Sequence, residues 1–262
     1  MIGSLTYEQW ILGFSLTMPR FLVAFGLLPF FSTQVVPNTL RQGIAASLCL
    51  ILVPYTADQM AAVPIAGVTI VTIIIKEVIV GLLIGYPLAM LFWAVEAIGF
   101  YIDNQRGSAM ASSADPLTGS ESTPLGILFT QAFTVYFMSS GAFLVMLGVF
   151  YQTYQLWPIA EFMPSFGGAG PVFYLGILDR LMRMVVVLSA PLIVSMFLAE
   201  FALALVSRFA PQLQVFFLAM PIKSGLSVLL LIFYGPILFG DLMTYDGGLE
   251  AIWGAVRAVL KP

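Results

Sequence analysis

The sequence predicts an all-α membrane protein, and three observations lead to that prediction. The 262-residue chain is 60% hydrophobic and only 9% charged, with a net charge of −3, whereas about 25% of the residues in a soluble domain are charged. Its mean hydropathy is +1.02. Its long apolar runs lack the alternation of a strand, and backbone groups in lipid must be satisfied internally, so the predicted spanning elements are helices.

The apolar runs have unequal lengths, which predicts kinked helical hairpins rather than a regular bundle. A straight span needs about 20 residues. The second run is too short for a span on its own, and the third is too long for one straight span. The runs cover residues 10–33, 43–56, 63–102, 125–157, 172–207 and 209–240.

Prolines fall within or at the ends of these runs, where each removes a backbone donor and favours a kink. Broken backbone is tolerated at membrane depth only where protein or a water-filled cavity surrounds it. The pattern therefore indicates a subunit of an assembly or a transport path. The prolines are Pro19, Pro29, Pro54, Pro87, Pro191, Pro221 and Pro236.

The residue inventory excludes several kinds of chemistry. The chain has no histidine and a single cysteine, Cys49, so a histidine zinc site, a Ser-His-Asp triad and an intramolecular disulfide are excluded. It contains no phosphate loop of the form G-x-x-x-x-G-K-[ST]. We therefore expect no enzymatic activity, no cofactor and no nucleic-acid partner. The first ten residues lack the basic cluster of a signal peptide, so we expect the first apolar run to be retained.

Charged residues interrupt the apolar runs, where they are expensive and need partners. Neighbouring residues on a helix point about 100° apart, so Lys76 and Glu77 are expected to find separate partners. Glu77 shares a helix face with Gly81 and Gly85, a spacing that permits close helix approach. We expect an acid buried at a tight interface, in an ion pair that serves assembly. The residues predicted to be buried charges or assembly contacts are Arg20, Lys76, Glu77, Glu96, Glu200, Arg208 and Lys223.

A polar stretch, residues 99–126, separates two strongly apolar runs. By composition alone it is an ordinary exposed loop, since Gly, Ser, Asp and Pro are common in turns. Glu96 and Asp103 are seven residues apart and are predicted to share the helix face that leads into it. A small-molecule or ion transporter with discontinuous helices stays an alternative, although no inverted repeat is visible in the sequence.

Three stretches taken together resemble the FliR/SctT family, export-gate subunits of flagellar and virulence type III secretion systems. They are "KEVIVGLLIGYP" (76–87), "GFYIDNQRGSAMASSADP" (99–116) followed by "TPLG" (123–126), and "SRFAPQLQVFFLAMPIKSGL" (207–226). The resemblance extends over nearly the whole chain, and the stretches around 30–54 are closer to the injectisome branch. It implies a multi-pass protein of the bacterial inner membrane, within the secretion-system basal body, that forms a pore for unfolded proteins.

The resemblance also implies an architecture and partners. Residues 1–183 would be similar to the P/R-type subunit and 184–240 to the Q/S-type hairpin, followed by an amphipathic tail, 241–262. Such hairpins assemble with P/R-type and Q/S-type subunits into a helical spiral around a channel, with an FlhB/SctU-type subunit at its base. The partners implied are these subunits, unfolded secretion substrates and membrane lipid. Lys223 would pair with a charge on a neighbouring subunit.

On this resemblance, the polar stretch corresponds to a plug loop, 103–124, that closes the channel until substrate arrives. Its small side chains have little packing to lose, so displacing them costs little. Met110 would add a soft, adaptable contact. The implied plug and pore-loop residues are Asp103, Gln105, Arg106, Gly107, Ser108, Met110, Ser112, Asp115 and Pro116.

Overall fold

A computed structural model of the chain describes residues 6–32, 35–60, 67–107, 123–161, 170–210, 215–244 and 254. Within these ranges the regular structure is helical and no strand occurs, which confirms the all-α prediction. The helices are α1 (Tyr7–Gly26), α2 (Asn38–Leu50), α3 (Val53–Met60), α4 (Gly67–Arg106), α5 (Pro124–Ser139), α6 (Ala142–Leu156), α7 (Gly170–Phe209) and α8 (Val215–Thr244), with a short 3-10 turn at Pro29–Phe31.

Among the described residues, three helical stretches are long and apolar enough to cross a membrane: Gly67–Arg106, Val172–Phe209 and Phe217–Leu242. Two further candidates are bent pairs. Helices α2 and α3 meet at 67°, and α5 and α6 meet at 76°, which gives up to five spans if each pair counts as one. The apolar run predicted to be too short for a span, 43–56, falls in the first of these pairs.

Local sequence explains where several helices begin, bend and end. Helix α1 begins after Thr6, whose backbone N–H donates to the Gln9 Oε1 at 2.9 Å, as in a capping box. Helix α4 ends at Gly107, which has a φ of 92° and donates its N–H to the Asn104 carbonyl at 3.0 Å. A side chain would strain that left-handed conformation. Prolines lie inside α1, α4, α7 and α8, at Pro19, Pro87, Pro191, Pro221 and Pro236.

The chain forms two compact units, each assembled from separate parts of the sequence. The first comprises Met1–Met90, Phe137–Ile177 and Leu249–Pro262, and the second comprises Leu91–Tyr136 and Leu178–Gly248. Helices α4, α5 and α7 contribute to both. The predicted division into 1–183 and 184–240 stays a prediction, and most of the predicted amphipathic tail lies outside the described residues.

Each unit has its own aromatic core. In the first unit the rings of Phe21 and Phe150 lie 4.4 Å apart between centroids. In the second unit the rings of Phe92 and Phe133 lie 5.0 Å apart, and Phe239 lies 6.4 Å from Phe133. Many large apolar side chains on α4, α7 and α8 are exposed, as expected of surfaces that face lipid or other helices.

Candidate functional site

Three charged side chains meet inside the first unit, and we call them the buried triad: Arg20 of α1 and Lys76 and Glu77 of α4. The side chains of Arg20 and Glu77 are fully buried, and that of Lys76 is 7% exposed. Arg20 donates from Nε to the Glu77 Oε2 at 2.6 Å and from Nη2 to Oε1 at 2.9 Å. This fork on a carboxylate is the strongest form of ion pair that arginine makes.

Lys76 and Glu77 also contact each other, since the lysine Nζ lies 2.7 Å from the Glu77 Oε1. The prediction that these neighbours could not pair is therefore wrong. The physical reason is the length of the lysine side chain, whose flexible four-carbon stem lets the ammonium reach sideways to the adjacent carboxylate. Both residues have other partners as well, so Glu77 Oε1 is shared by two cations.

Gly81 and Gly85 lie against α1 one and two turns after Glu77. A Cβ at Gly81 would stand 2.7 Å from the Arg20 carbonyl oxygen, and one at Gly85 would stand 2.8 Å from the Ala24 Cα. Backbone therefore packs on backbone at two successive turns, which glycine alone permits. This close approach of α1 to α4 also brings the buried Arg20 within hydrogen-bonding distance of the buried Glu77.

Arg20 makes further hydrogen bonds inside the unit. Nη1 donates to the Thr153 Oγ1 at 3.2 Å, and Nη2 donates to the Trp157 carbonyl at 3.1 Å. The guanidinium carbon lies 3.9 Å from the centroid of the Tyr154 ring, a cation–π contact, and the Tyr154 hydroxyl donates to the Thr17 carbonyl at 3.0 Å. Buried charge is tolerated when it is satisfied in this way.

Lys76 holds the segment that follows α6, residues 157–161, which we call the 157–161 turn. Its Nζ donates to the carbonyls of Pro158 at 3.0 Å, Ile159 at 3.0 Å and Glu161 at 3.2 Å. The Ile159 N–H donates in turn to the Gln59 Oε1 at 3.2 Å. No sequence pattern marks these backbone acceptors, because their approach to Lys76 depends on tertiary packing.

A second cluster, in the second unit, lies at the base of the polar loop. Asp103 is fully buried in the last turn of α4, and its carboxylate accepts from the Arg106 guanidinium and from the Leu125 backbone N–H at 2.7 Å. Leu125 is in the first turn of α5, whose N–H groups have no partners within the helix and where a negative charge is favourable. We call Asp103, Arg106 and Leu125 the loop-base clamp.

Glycines bring the same two helices into direct contact beside the clamp. A Cβ at Gly99 would lie 2.6 Å from the Gly126 Cα, and a Cβ at Gly126 would lie 3.3 Å from the Glu96 carbonyl oxygen. The quoted stretch "TPLG" thus supplies both the start of α5 and its closest contact with α4. The polar loop therefore connects two helices, α4 and α5, that pack directly against each other.

These positions correct several predictions for the loop. Helix α4 continues through Arg106 and α5 begins at Pro124, so Asp103, Gln105 and Arg106 are helical rather than part of a loop. Glu96 and Asp103 both lie in α4, seven residues apart and therefore near one face, but Glu96 is exposed and Asp103 is buried, because the Asp103 carboxylate caps α5. Of the other predicted plug residues, Gly107 ends the helix, and Ser108, Met110, Ser112, Asp115 and Pro116 lie outside the described residues.

Of the remaining predicted charges, Lys223 is largely buried in the single chain, whereas Glu200 and Arg208 are exposed. The Lys223 Nζ lies 3.0 Å from the Glu200 Oε2, and the lysine side chain is 10% exposed, the glutamate side chain 49%. Arg208 is exposed near the end of α7. Within the single chain Glu96, Glu200 and Arg208 are exposed, because α4 and α7 bury only part of their circumference, so the role of these three charges in assembly stays a prediction. The Glu200 to Lys223 pair was not predicted, since 22 residues and a change of helix separate its members.

Known proteins of one family match this chain along most of its length. Residues 11–245 match the family described as bacterial export proteins, family 1. Yop proteins translocation protein T of Yersinia pestis is 44% identical over 228 residues, which are 87% of each chain. Surface presentation of antigens protein SpaR of Salmonella typhimurium is 31% identical over 87% of this chain and 83% of its own. Flagellar biosynthetic protein FliR of Bacillus subtilis is 30% identical over 86% of this chain and 87% of its own. This chain therefore belongs to the FliR/SctT family, the export-apparatus subunits of type III secretion and flagellar systems.

Proposed function

We propose that this chain is a pore-forming subunit of a type III secretion export gate and that it conducts unfolded proteins across the bacterial inner membrane. The family assigns it to an export apparatus. The relative from Yersinia pestis is named for the translocation of Yop proteins, which supports proteins as the cargo. The helices long enough to span a membrane support a multi-pass protein of that membrane.

The observation that carries the proposal of a plug is the loop-base clamp. Asp103 ties the end of α4 to the start of α5, and Gly99 and Gly126 press the same helices together. The segment between them is rich in Gly, Ala and Ser, which have little side chain to pack. A plug must be easy for substrate to displace, which small side chains favour. It must also return afterwards, which a fixed base favours.

The proposed partners are P/R-type and Q/S-type subunits, which would complete the spiral and the channel, and an FlhB/SctU-type subunit at its base. Exposed charges on membrane-length helices support a need for neighbours. Glu96 of α4 and Glu200 of α7 are both exposed, and an ionised carboxylate is costly in lipid. A protein or aqueous environment on those faces removes that cost.

The buried triad favours this proposal over a small-molecule transporter. Glu77 is bound by both Arg20 and Lys76, and Lys76 is surrounded by backbone carbonyls. Charged groups engaged so fully by the protein itself are poorly suited to bind and release a substrate.

Deleting residues 108–114 tests the plug while leaving the Gly107 helix end in place. We expect the complex to be recovered normally but to conduct small ions in a closed state, because the stopper is lost while the clamp remains. The measurement is ion conductance of the purified complex in planar bilayers, with complex recovery measured by affinity purification.

The matched control replaces residues 108–114 with seven Gly and Ser residues, which keeps the length of the loop. This variant is expected to stay far less conductive than the deletion. A fully assembled deletion complex with the conductance of the parent would refute the plug.

A further inference from the structure

We propose that Lys76 is a positioning residue that holds the 157–161 turn against α4 by its charge, and that Glu77 is the shared counter-ion that couples this turn to the contact between α1 and α4. The proposal concerns the first unit alone and does not depend on the pore or the plug.

Oxygen atoms surround the Lys76 Nζ as they would surround a bound cation, but here the cation is the ammonium group of the lysine itself. Three carbonyl oxygens from one short turn and one carboxylate oxygen lie 2.7 to 3.2 Å from its Nζ. An ammonium has three donors and no acceptor, so the three carbonyls use its full donor capacity and the Glu77 carboxylate adds an ionic contact. Carbonyl dipoles that point at one spot repel each other unless a positive charge stands between them.

Arg20 and Lys76 bind different carbonyl groups of the turn. Arg20 donates to the Trp157 carbonyl, and Lys76 donates to the carbonyls of Pro158, Ile159 and Glu161. Ile159 is 1% exposed, and its N–H is held by Gln59. The backbone of the turn is thus anchored to α1, α3 and α4 by polar contacts, of which those to the Trp157 and Ile159 carbonyls are buried, where an unmade hydrogen bond is expensive.

Coupling arises at a single atom, the Glu77 Oε1. It accepts from the Arg20 Nη2 at 2.9 Å and lies 2.7 Å from the Lys76 Nζ. Any displacement of α1 that moves Arg20 changes the balance of charge on this oxygen and therefore the hold of Lys76 on the turn. The close packing of Gly81 on the Arg20 backbone fixes the position of α1 against α4 at this point.

The test is chemical rescue of a Lys76→Ala variant, made in the full chain within the purified export complex. The substitution removes three carbons and an ammonium, so added n-propylammonium replaces the missing atoms. Glu161 is exposed, which leaves the outer end of the turn accessible to a small solute. The readout is hydrogen exchange of the peptide that covers residues 157–161.

We expect the Lys76→Ala substitution to speed exchange in the turn about tenfold or more, as for the loss of a charged hydrogen bond. Propylammonium should restore protection, whereas 1-propanol, of the same length but uncharged, should not. Equal rescue by both solutes would show that packing, not charge, holds the turn, and would overturn the proposal.

Two further variants keep the test decisive if Lys76→Ala fails to assemble. Lys76→Met keeps most of the length of the side chain without its charge and should speed exchange in the turn about tenfold or more relative to the parent; parental protection in it would refute the proposal. Lys223→Ala removes another largely buried lysine, from the second unit, and should leave the turn unchanged. Equal deprotection by Lys223→Ala would reveal general loosening and would also refute it.

Discussion

Asp103 and Glu77 are both fully buried carboxylates that meet an arginine, yet they stabilise different things. Glu77 bonds side chains on α1 and α4. Asp103 bonds a backbone N–H of the next helix and thereby serves as its N-terminal cap from 22 residues away. Loss of the Glu77 carboxylate leaves two buried cations without their counter-ion, whereas loss of the Asp103 carboxylate leaves the start of α5 without its cap.

Asp103→Asn is expected to lower the free energy of unfolding by about 1.5–3 kcal/mol, because it weakens hydrogen bonds to a charged and buried acceptor. The measurement is unfolding of the detergent-solubilised chain by heat or denaturant. Asp179→Asn is the matched control, since its side chain is 73% exposed and pairs with Arg183 on the surface. Such pairs contribute about 0–1 kcal/mol, and equal losses in both variants would contradict the role of Asp103 as a cap.

Residue spacing in the sequence predicted one of these sites and missed the other. Glu77, Gly81 and Gly85 follow a helical repeat, so a buried acid at a close helix contact could be proposed from spacing alone. Asp103 looked like a loop residue because polar residues follow it directly. Its partner, the Leu125 N–H, is a backbone group, and no side-chain pattern marks a backbone group as a partner.

At the scale of elements, the contact between α1 and α4 depends on the absence of side chains at two glycines. Gly81→Ala places a Cβ 2.7 Å from the Arg20 carbonyl, so the helices must separate. We expect a loss of about 1–3 kcal/mol in unfolding free energy, as for an overpacked core, together with faster hydrogen exchange in the 157–161 turn.

Gly148→Ala is the control for this substitution, because nothing lies within 4 Å of a Cβ built at Gly148 in α6. In a helix interior that change is expected to be neutral or slightly stabilising. If Gly81→Ala changed the free energy of unfolding no more than Gly148→Ala does, the close approach of α1 and α4 would not contribute to stability.

The types and unequal lengths of the elements were predictable, but most of the contacts between them were not. The apolar runs and internal prolines indicate bent helices, and α2 with α3 and α5 with α6 are bent pairs. The end of α4 was misplaced by a few residues, because polar residues in its last turn resemble a loop until Asp103 is seen to be buried. The carbonyls that surround Lys76 come from a turn more than 80 residues away.

At the scale of the whole molecule, the exposed apolar side chains and the exposed charges occur on the same membrane-length helices. Val186, Phe197 and Phe201 of α7 are more than half exposed, and Glu200 lies among them with half of its side chain exposed. Lipid satisfies the apolar groups but not the carboxylate, which favours a protein neighbour on this face.

Native mass spectrometry of detergent-extracted material is therefore expected to find this chain within a hetero-oligomer. A small-molecule transporter would instead be recovered as a monomer or homodimer. The same measurement on a Glu200→Gln variant should show weaker retention of the neighbouring subunits if the carboxylate lies at that interface. Recovery of the parent chain as a monomer under gentle extraction would contradict the assembly.

The adjacency of Lys76 and Glu77 has a consequence for biosynthesis. A ribosome makes residue 76 long before the carbonyls of Pro158, Ile159 and Glu161, which are its later partners. During that interval, the neighbouring carboxylate, which Lys76 contacts in the folded chain, is already present in the same nascent helix. Two opposite charges side by side enter a bilayer at lower cost than either would alone. The sequence order thus lets the translocon insert α4 before the later part of its unit, which includes the 157–161 turn, exists.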